Sequence, residues 1–149
     1  MRVAVVGYPM LAKRQWQLCS RFEAAGVDTH IIVPNDWPPI PAEDHPPDDA
    51  LFTVHKRRSL FNGNMARYFL PGLPRLLSQI NPDVVLTHGE PWFVGTLYAQ
   101  VAADLVRVPH VVFSWENLNH VPQSRIQRTI EDLVLKRVHG LIAGSNAAA

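Results

Sequence analysis

Residues 81–91 read Asn-Pro-Asp-Val-Val-Leu-Thr-His-Gly-Glu-Pro, and this stretch decides the fold. A proline and an acidic residue open it, an apolar run begins at Val84, and a polar cluster closes it. A short apolar run between turn signals is typical of a strand that is buried on both faces, as in a parallel sheet. Ligands of open α/β sheets bind beyond the carboxyl ends of the strands. We therefore expect His88 and Glu90 to lie on the rim of a binding crevice.

Similar apolar runs, separated by helical patterns, occur along the rest of the chain. Strands are predicted at residues 2–7, 29–33, 51–55, 110–113 and 140–143, and helices at 11–25, 73–80, 94–105 and 126–134. This alternation predicts an α/β protein with a doubly wound, mostly parallel sheet of about six strands. The third helix carries an apolar face formed by Val94, Leu97, Tyr98, Val101 and Leu105, and the fourth turns Ile126, Ile130, Leu133 and Val134 inward.

Composition limits the class of protein. The chain has 149 residues, 47% of them hydrophobic, which suits one globular domain. Its net charge of +1 predicts no binding to nucleic acid. The one cysteine, Cys19, excludes an intramolecular disulfide and is expected in the core. No signal peptide or membrane span is evident, so a soluble, cytoplasmic domain is expected. Residues 34–49 hold six of the thirteen prolines and are predicted to form a surface loop.

Several common motifs are missing from the sequence. It contains no G-x-G-x-x-G, no G-x-x-x-x-G-K and no G-x-S-x-G, which argues against dinucleotide, P-loop and serine-hydrolase chemistry.

Lys13 and Arg14, in the first turn of the first helix, either meet an anion or are solvated charges. His88 and Glu90 form a polar clamp for a hydroxylated ligand or an acid/base pair. The structural alternative is a loop histidine and a helix-capping carboxylate; two ligands are too few for a metal.

Two further clusters have both a functional and a structural interpretation. Residues 115–117, Trp-Glu-Asn, end the strand at 110–113 and suit a sugar, which stacks on the ring of Trp115 while Glu116 and Asn117 bind its hydroxyls. Otherwise the tryptophan packs under a loop. Residues 56–69 combine basic and aromatic side chains, as in a contact with an anionic membrane, or else form a loop packed on the sheet. The predicted membrane contacts are Lys56, Arg57, Arg58 and Phe61.

Taken together, four segments resemble the N-terminal Rossmann-like domain of a GT-B glycosyltransferase of family 4. They are residues 2–7, 81–88, 111–116 and 141–145, and their order and spacing carry the resemblance. The resemblance implies an acceptor-binding domain over residues 1–144, with 145–149 starting a linker helix toward a donor-binding domain. It also implies transfer with retention of configuration, without a metal, from a nucleotide-sugar bound on that second domain, and no cofactor in this chain.

The resemblance also implies roles for individual residues. The catalytic residues are expected to be His88 and Glu116, where Glu116 takes the place of a histidine that is frequent in the family. The acceptor side comprises Tyr8, Lys13, Arg14, Glu90, Trp115 and Asn117. The acceptor is expected to be a sugar or a lipid-linked molecule. The family's pair of glutamates eight residues apart is absent, so we expect this fragment to be inactive alone.

Two alternatives from other classes stay open. The chain could be a non-catalytic module that docks on a separate donor-domain protein, although a sequence ending within a helix favours a fragment. A flavodoxin-like regulatory domain is the other alternative. It would need a phosphorylatable aspartate at the carboxyl end of a strand, and neither Asp28 nor Asp83 has that position.

Overall fold

The computed structural model of the chain describes residues 1–38, 40, 51–115 and 124–144. Its strands are β1 (Arg2–Val6), β2 (Asp28–Pro34), β3 (Thr53–Arg57), β4 (Val84–His88), β5 (His110–Ser114) and β6 (Gly140–Ala143). They form one parallel sheet in the order β3-β2-β1-β4-β5-β6. The predicted doubly wound sheet is confirmed. The chain order reverses between β1 and β4, and the carboxyl ends at such a reversal form the usual ligand crevice.

The first helical segment differs from the prediction. The α-helix begins later than expected, as α1 (Trp16–Ala24), and two 3-10 turns precede it at Tyr8–Leu11 and Lys13–Gln15. Ala12 separates the turns because its backbone is extended. Lys13 and Arg14 therefore lie in a 3-10 turn before α1, not in its first α-helical turn as predicted. Cys19 is buried in the core, as expected.

The helix α2 (Leu73–Ile80) agrees closely with the sequence pattern. Its buried residues recur with the spacing of one helical face. Gly72 precedes the helix and Asn81 follows it, and both residues have left-handed backbone conformations. The buried face consists of Leu73, Leu76, Leu77 and Ile80. The helix thus covers the sheet just before the chain enters β4.

The third helix, α3 (Val94–Val106), occurs where predicted, but only part of its predicted apolar face is packed against the core. Leu105 is 68% exposed, and Val101 is also exposed. The buried positions hold small or polar side chains instead, namely Gly95, Thr96, Ala99, Gln100, Ala102 and Ala103. The reason is close packing: a Cβ atom at Gly95 would lie only 2.8 Å from the carbonyl oxygen of Tyr68. Small residues allow that approach. Val94, Leu97 and Tyr98 of the predicted face are half-buried against the core, so hydrophobicity alone identified the inner face only in part.

The fourth helix, α4 (Arg125–Leu135), begins with a capping box formed by Ser124 and Gln127. Ile130 and Val134 are buried as predicted, whereas Ile126 is 73% exposed and Leu133 is exposed, contrary to the prediction. Ile130 and Val134 pack with Val112 of β5 and with Val94 and Leu97 of α3, so the buried stripe of α4 is narrow. None of the described helices is long and apolar enough to cross a membrane.

Beyond the edge strand β3, residues 58–70 form a loop closed by backbone hydrogen bonds between Leu60 and Phe69. Phe61 lies near its tip with 61% of its surface exposed and a positive φ of 55°. We refer to these residues as the 58–70 loop. Most of the predicted proline-rich loop at 34–49 lies outside the described residues.

Candidate functional site

The crevice begins where β1 and β4 end side by side. Gly7 follows β1 with a φ of 153°, and its amide donates to the carbonyl of Ile32 over 3.1 Å. A Cβ atom at Gly7 would lie 2.5 Å from the carbonyl oxygen of His88, closer than a side chain can approach. The glycine therefore allows the chain to turn away from β1 directly against the end of β4.

A cavity of about 480 Å³ opens at these strand ends. The two 3-10 turns after β1 form one side of it, and side chains from the ends of β4 and β5 form the other. The residues that line it are Tyr8, Pro9, Arg14, Gln15, His88 and Trp115. The parallel sheet thus brings together residues that are about eighty to one hundred positions apart in sequence.

His88 is buried, and both of its ring nitrogens have a partner in the protein. Nε2 accepts a hydrogen bond from the indole N–H of Trp115. Because an indole nitrogen only donates, Nε2 is unprotonated and Nδ1 carries the proton, which faces the sulfur of Met10 over 3.1 Å. Burial lowers the pKa of His88 to about 4, so the imidazole is neutral at pH 7.

Glu90 joins the loop after β4 to the end of β5. One carboxylate oxygen accepts from the hydroxyl of Ser114, and the other accepts from the backbone N–H of Trp115 over 3.0 Å. The indole of Trp115 is inclined by 30° to the ring of His88, with 6.1 Å between the ring centroids, and 46% of Trp115 is exposed. The carboxylate therefore fixes the backbone of the residue whose ring lines the cavity.

Tyr8 belongs to an aromatic cluster on the opposite side. Its ring stacks on Trp37 with 4.2 Å between centroids, and its amide donates to the hydroxyl of Tyr68 over 3.3 Å. Burial, and secondly the charge of Glu90, raise the pKa of Tyr8. The Tyr8 hydroxyl is therefore protonated at neutral pH and able to donate a hydrogen bond.

The structure brings together some of the predicted site residues but not all. Tyr8, Arg14, His88 and Trp115 line the cavity, and Glu90 contacts the backbone of Trp115 behind it. Lys13 is exposed and does not line the cavity. The predicted residues Glu116 and Asn117 lie outside the described residues.

Sequence reasoning missed three contributors to this region. Gln15 lines the cavity because α1 starts later than predicted, so the loop after β1 is longer. Met10 contacts His88, and Ser114 binds Glu90. A polar residue at the end of a buried strand was the available signal for Ser114, whereas no sequence signal distinguishes Met10 from a core residue.

A second cavity, of about 670 Å³, lies between the 58–70 loop and the first turns of α3 and α4. Phe61 and Arg67 contribute from the loop, and Ile126 contributes from α4. Among the predicted membrane contacts, Phe61, Arg57 and Arg58 are exposed, and Lys56 is half-buried. These residues are separate from the set that lines the first cavity.

A buried chain of hydrogen bonds crosses the interior and was not foreseen. The hydroxyl of Thr87 donates to Nε2 of His110, and Nδ1 of His110 donates to Gln100, both over 2.7 Å. Gln100 donates to Asp104 over 2.8 Å, and Asp104 pairs with Arg137 over 2.8 Å. The direction follows from Asp104, since its carboxylate only accepts and therefore turns the amide nitrogen of Gln100 toward itself. Burial lowers the pKa of His110 to about 4.

Comparison with known proteins now assigns the domain. The sequence matches the family described as glycosyl transferase 4-like domain over residues 11–149. The chain belongs to this family. The predicted resemblance to family 4 glycosyltransferases is thus confirmed. A search of curated proteins found no match to this sequence. Within the described ranges, no group of three or more histidine, cysteine, aspartate or glutamate side chains is placed to hold a metal.

Solved structures agree with this family 4-like domain in fold. UDP-GlcNAc 2-epimerase from Methanocaldococcus jannaschii has a TM-score of 0.62 at 15% identity, over 99% of this chain and 40% of that one. The enzyme WbmH of Bordetella bronchiseptica, solved with NAD+, has a TM-score of 0.58 at 13% identity, over 95% and 55%. A short-chain dehydrogenase/reductase from Veillonella parvula, solved with NADP, has a TM-score of 0.61 at 13% identity, over 94% and 67%. Identities this low show the fold alone, and this chain spans about half or less of the first two proteins.

Proposed function

We propose that this domain is the acceptor-binding half of a retaining glycosyltransferase, with the nucleotide-sugar donor bound on a separate C-terminal domain. One observation carries the proposal: the cavity between the ends of β1, β4 and β5 combines an exposed indole with a neutral imidazole. An aromatic ring beside uncharged hydrogen-bonding groups suits a hydroxylated ligand. On this proposal the domain alone transfers no sugar, because the donor site lies elsewhere.

Four of the residues that line the cavity have a role in this proposal. The apolar face of an acceptor sugar stacks on Trp115, while Arg14 and the hydroxyl of Tyr8 donate hydrogen bonds to its oxygens. His88 is the proposed catalytic residue, because a neutral imidazole is able to accept the proton of the attacking hydroxyl. Glu90 supports the acceptor site through its hydrogen bond to Trp115. Glu116, Asn117 and Lys13 complete the proposed set from the sequence.

The proposal is tested by saturation-transfer NMR with this chain and two groups of probes. Methyl glycosides of common hexoses represent acceptors, and UDP-glucose, UDP-N-acetylglucosamine and GDP-mannose represent donors. We expect transfer to at least one glycoside and none to the nucleotide-sugars. Binding of a nucleotide-sugar here, or sugar transfer by this chain alone, would overturn the assignment.

Trp115→Ala is expected to weaken glycoside binding roughly five- to tenfold, because stacking of the acceptor on the indole is worth about 1–1.4 kcal/mol. The measurement is a titration followed by NMR chemical shifts. Phe61→Ala serves as the control, since Phe61 is an exposed aromatic that lines the other cavity. Equal loss of affinity in the two variants would contradict a site at Trp115.

A second candidate is a non-catalytic module that docks on a separate donor-domain protein. Both candidates use the same cavity, so the mass of the native gene product distinguishes them. An intact mass well above twice 16.7 kDa favours a two-domain enzyme, and a mass near 16.7 kDa favours a separate subunit. In the second case, copurification identifies the donor-domain protein.

We also propose a peripheral contact between the 58–70 loop region and the cytoplasmic face of an anionic membrane. Lys56 and Arg57 at the end of β3, with Arg58 at the start of the loop, supply positive charge, and Phe61 supplies an exposed apolar ring. We expect this chain to cosediment with vesicles containing phosphatidylglycerol and not with pure phosphatidylcholine vesicles. Phe61→Ala and Arg58→Gln should each reduce binding several-fold, whereas Arg21→Gln, an exposed arginine of α1, should not. Equal binding to both vesicles would contradict the charge requirement.

A further inference from the structure

Glu90 occupies a position between two neighbouring strand ends. Each oxygen of its carboxylate already accepts a hydrogen bond from the protein, one from the Ser114 hydroxyl and one from the Trp115 amide. Both donors belong to the end of β5, whereas Glu90 follows β4. The carboxylate therefore contacts the segment that includes Trp115, whose indole lines the cavity. This indicates that Glu90 affects the cavity through Trp115.

The ring of Trp115 is held on several sides. Phe113 lies edge-on to the indole with 5.0 Å between centroids, and a Cβ atom at Gly144 would come within 2.9 Å of the ring. The indole N–H points to Nε2 of His88. With the backbone held by Glu90, the side chain of Trp115 is directed across the cavity onto the histidine.

The indole occupies the one nitrogen of His88 that has a lone pair. Nδ1 carries the proton and faces Met10 in the protein interior, so a ligand meets His88 only at Nε2. A hydroxyl group reaches that nitrogen only when the indole N–H has moved away. Because Glu90 holds the backbone of Trp115, the simplest such movement is a rotation of the Trp115 side chain.

We propose that Glu90 is a positioning residue, whose carboxylate holds Trp115 so that the indole N–H covers Nε2 of His88 until the side chain rotates away. This role concerns the same cavity as the proposed function and deepens it. The observations behind it are contacts within the protein, and its test needs no sugar. A failure of this test is therefore distinguishable from a failure of acceptor binding.

The first measurement is the titration midpoint of His88, followed by NMR of its ring protons in Glu90→Ala. Removing a negative charge would by itself lower that midpoint. Loss of the indole donor instead raises it, because that donor stabilises the unprotonated ring. We expect a rise of about half a pH unit or more, the size expected for one lost hydrogen bond. Glu90→Gln, which keeps an acceptor oxygen for the Trp115 amide, should lie nearer to the native protein.

The second measurement is acylation of His88 by diethyl pyrocarbonate, which attacks an accessible unprotonated imidazole. Peptide mass spectrometry separates His88 from the other six histidines. We expect acylation at least tenfold faster in Glu90→Ala and in Trp115→Phe, which removes the indole N–H and leaves the carboxylate in place. Unchanged acylation of the buried His110 shows that the variants remain folded. A lower His88 midpoint in Glu90→Ala, or native acylation rates in Trp115→Phe, would overturn the proposal.

Discussion

Gly7→Ala is expected to lower the free energy of unfolding by roughly 2–5 kcal/mol, combining backbone strain with a steric clash. The added Cβ atom would lie 2.5 Å from the carbonyl oxygen of His88, an atom of the backbone of β4 that cannot rotate away. The residue also has a φ of 153°, a value that residues other than glycine rarely adopt. The ends of β1 and β4 must therefore separate, which moves His88 relative to Tyr8 in the cavity.

Urea denaturation of Gly7→Ala beside Gly26→Ala provides the measurement. Gly26 also has a positive φ, of 75°, but a Cβ atom there would have no other atom within 4 Å. It therefore reports the backbone cost alone, about 1 kcal/mol. The difference between the two variants reports the clash at the crevice together with the extra backbone cost of the φ of 153° at Gly7. If Gly7→Ala loses no more stability than Gly26→Ala, the close approach of β1 and β4 is wrong.

The sheet and the place of the crevice were predictable for a simple reason. A strand buried on both faces has an almost continuous apolar run, as at residues 84–87, and its polar neighbours then mark its ends. His88 and Trp115 were recognised separately, each at the end of a predicted strand. A parallel arrangement places those ends at one edge, so the sequence pattern and the topology together predicted their proximity.

Other features depend on contacts that no single segment contains. The inner face of α3 is set by the close approach of Gly95 to Tyr68, so small residues are buried and Leu105 is exposed. The role of Glu90 depends on which donors of β5 stand opposite it. The bond between Gln100 and His110 depends in the same way on how α3 crosses the sheet. Hydrophobic periodicity carries no information about such pairings between elements.

Acidification below pH 6.5 is expected to destabilise the fold strongly through His88 and His110. Both have a pKa of about 4 in the folded protein, against 6.5 for an unperturbed histidine, because burial disfavours their charged forms. Between pH 6.5 and 4 the unfolded chain binds protons that the folded chain does not, so stability falls as the pH falls. Each histidine contributes up to roughly 3 kcal/mol over this window.

Burial is the main factor that disfavours a charged His110. Its Nε2 accepts from the hydroxyl of Thr87, and protonation would require that hydroxyl to turn and accept instead. The Arg2–Asp28 ion pair stops stabilising the fold only at a lower pH. The pKa of Asp28 is depressed, so the stabilisation is lost only when that carboxylate is protonated. The loss between pH 6.5 and 4 is therefore a property of the histidines whose pKa is lowered. These are the buried His88 and His110, together with the half-buried His55, whose pKa is lowered by burial and by the charges of His30 and Arg57.

Urea denaturation at pH 7.0, 6.0 and 5.0 measures the effect, and its slope with pH gives the protons taken up on unfolding. We expect the slope to approach two protons near pH 5 in the native sequence. In His110→Gln it should fall by about one proton, even though this variant is less stable at pH 7, because the slope is independent of the overall stability. A flat dependence between pH 7 and 5 would show that neither histidine is held neutral by burial.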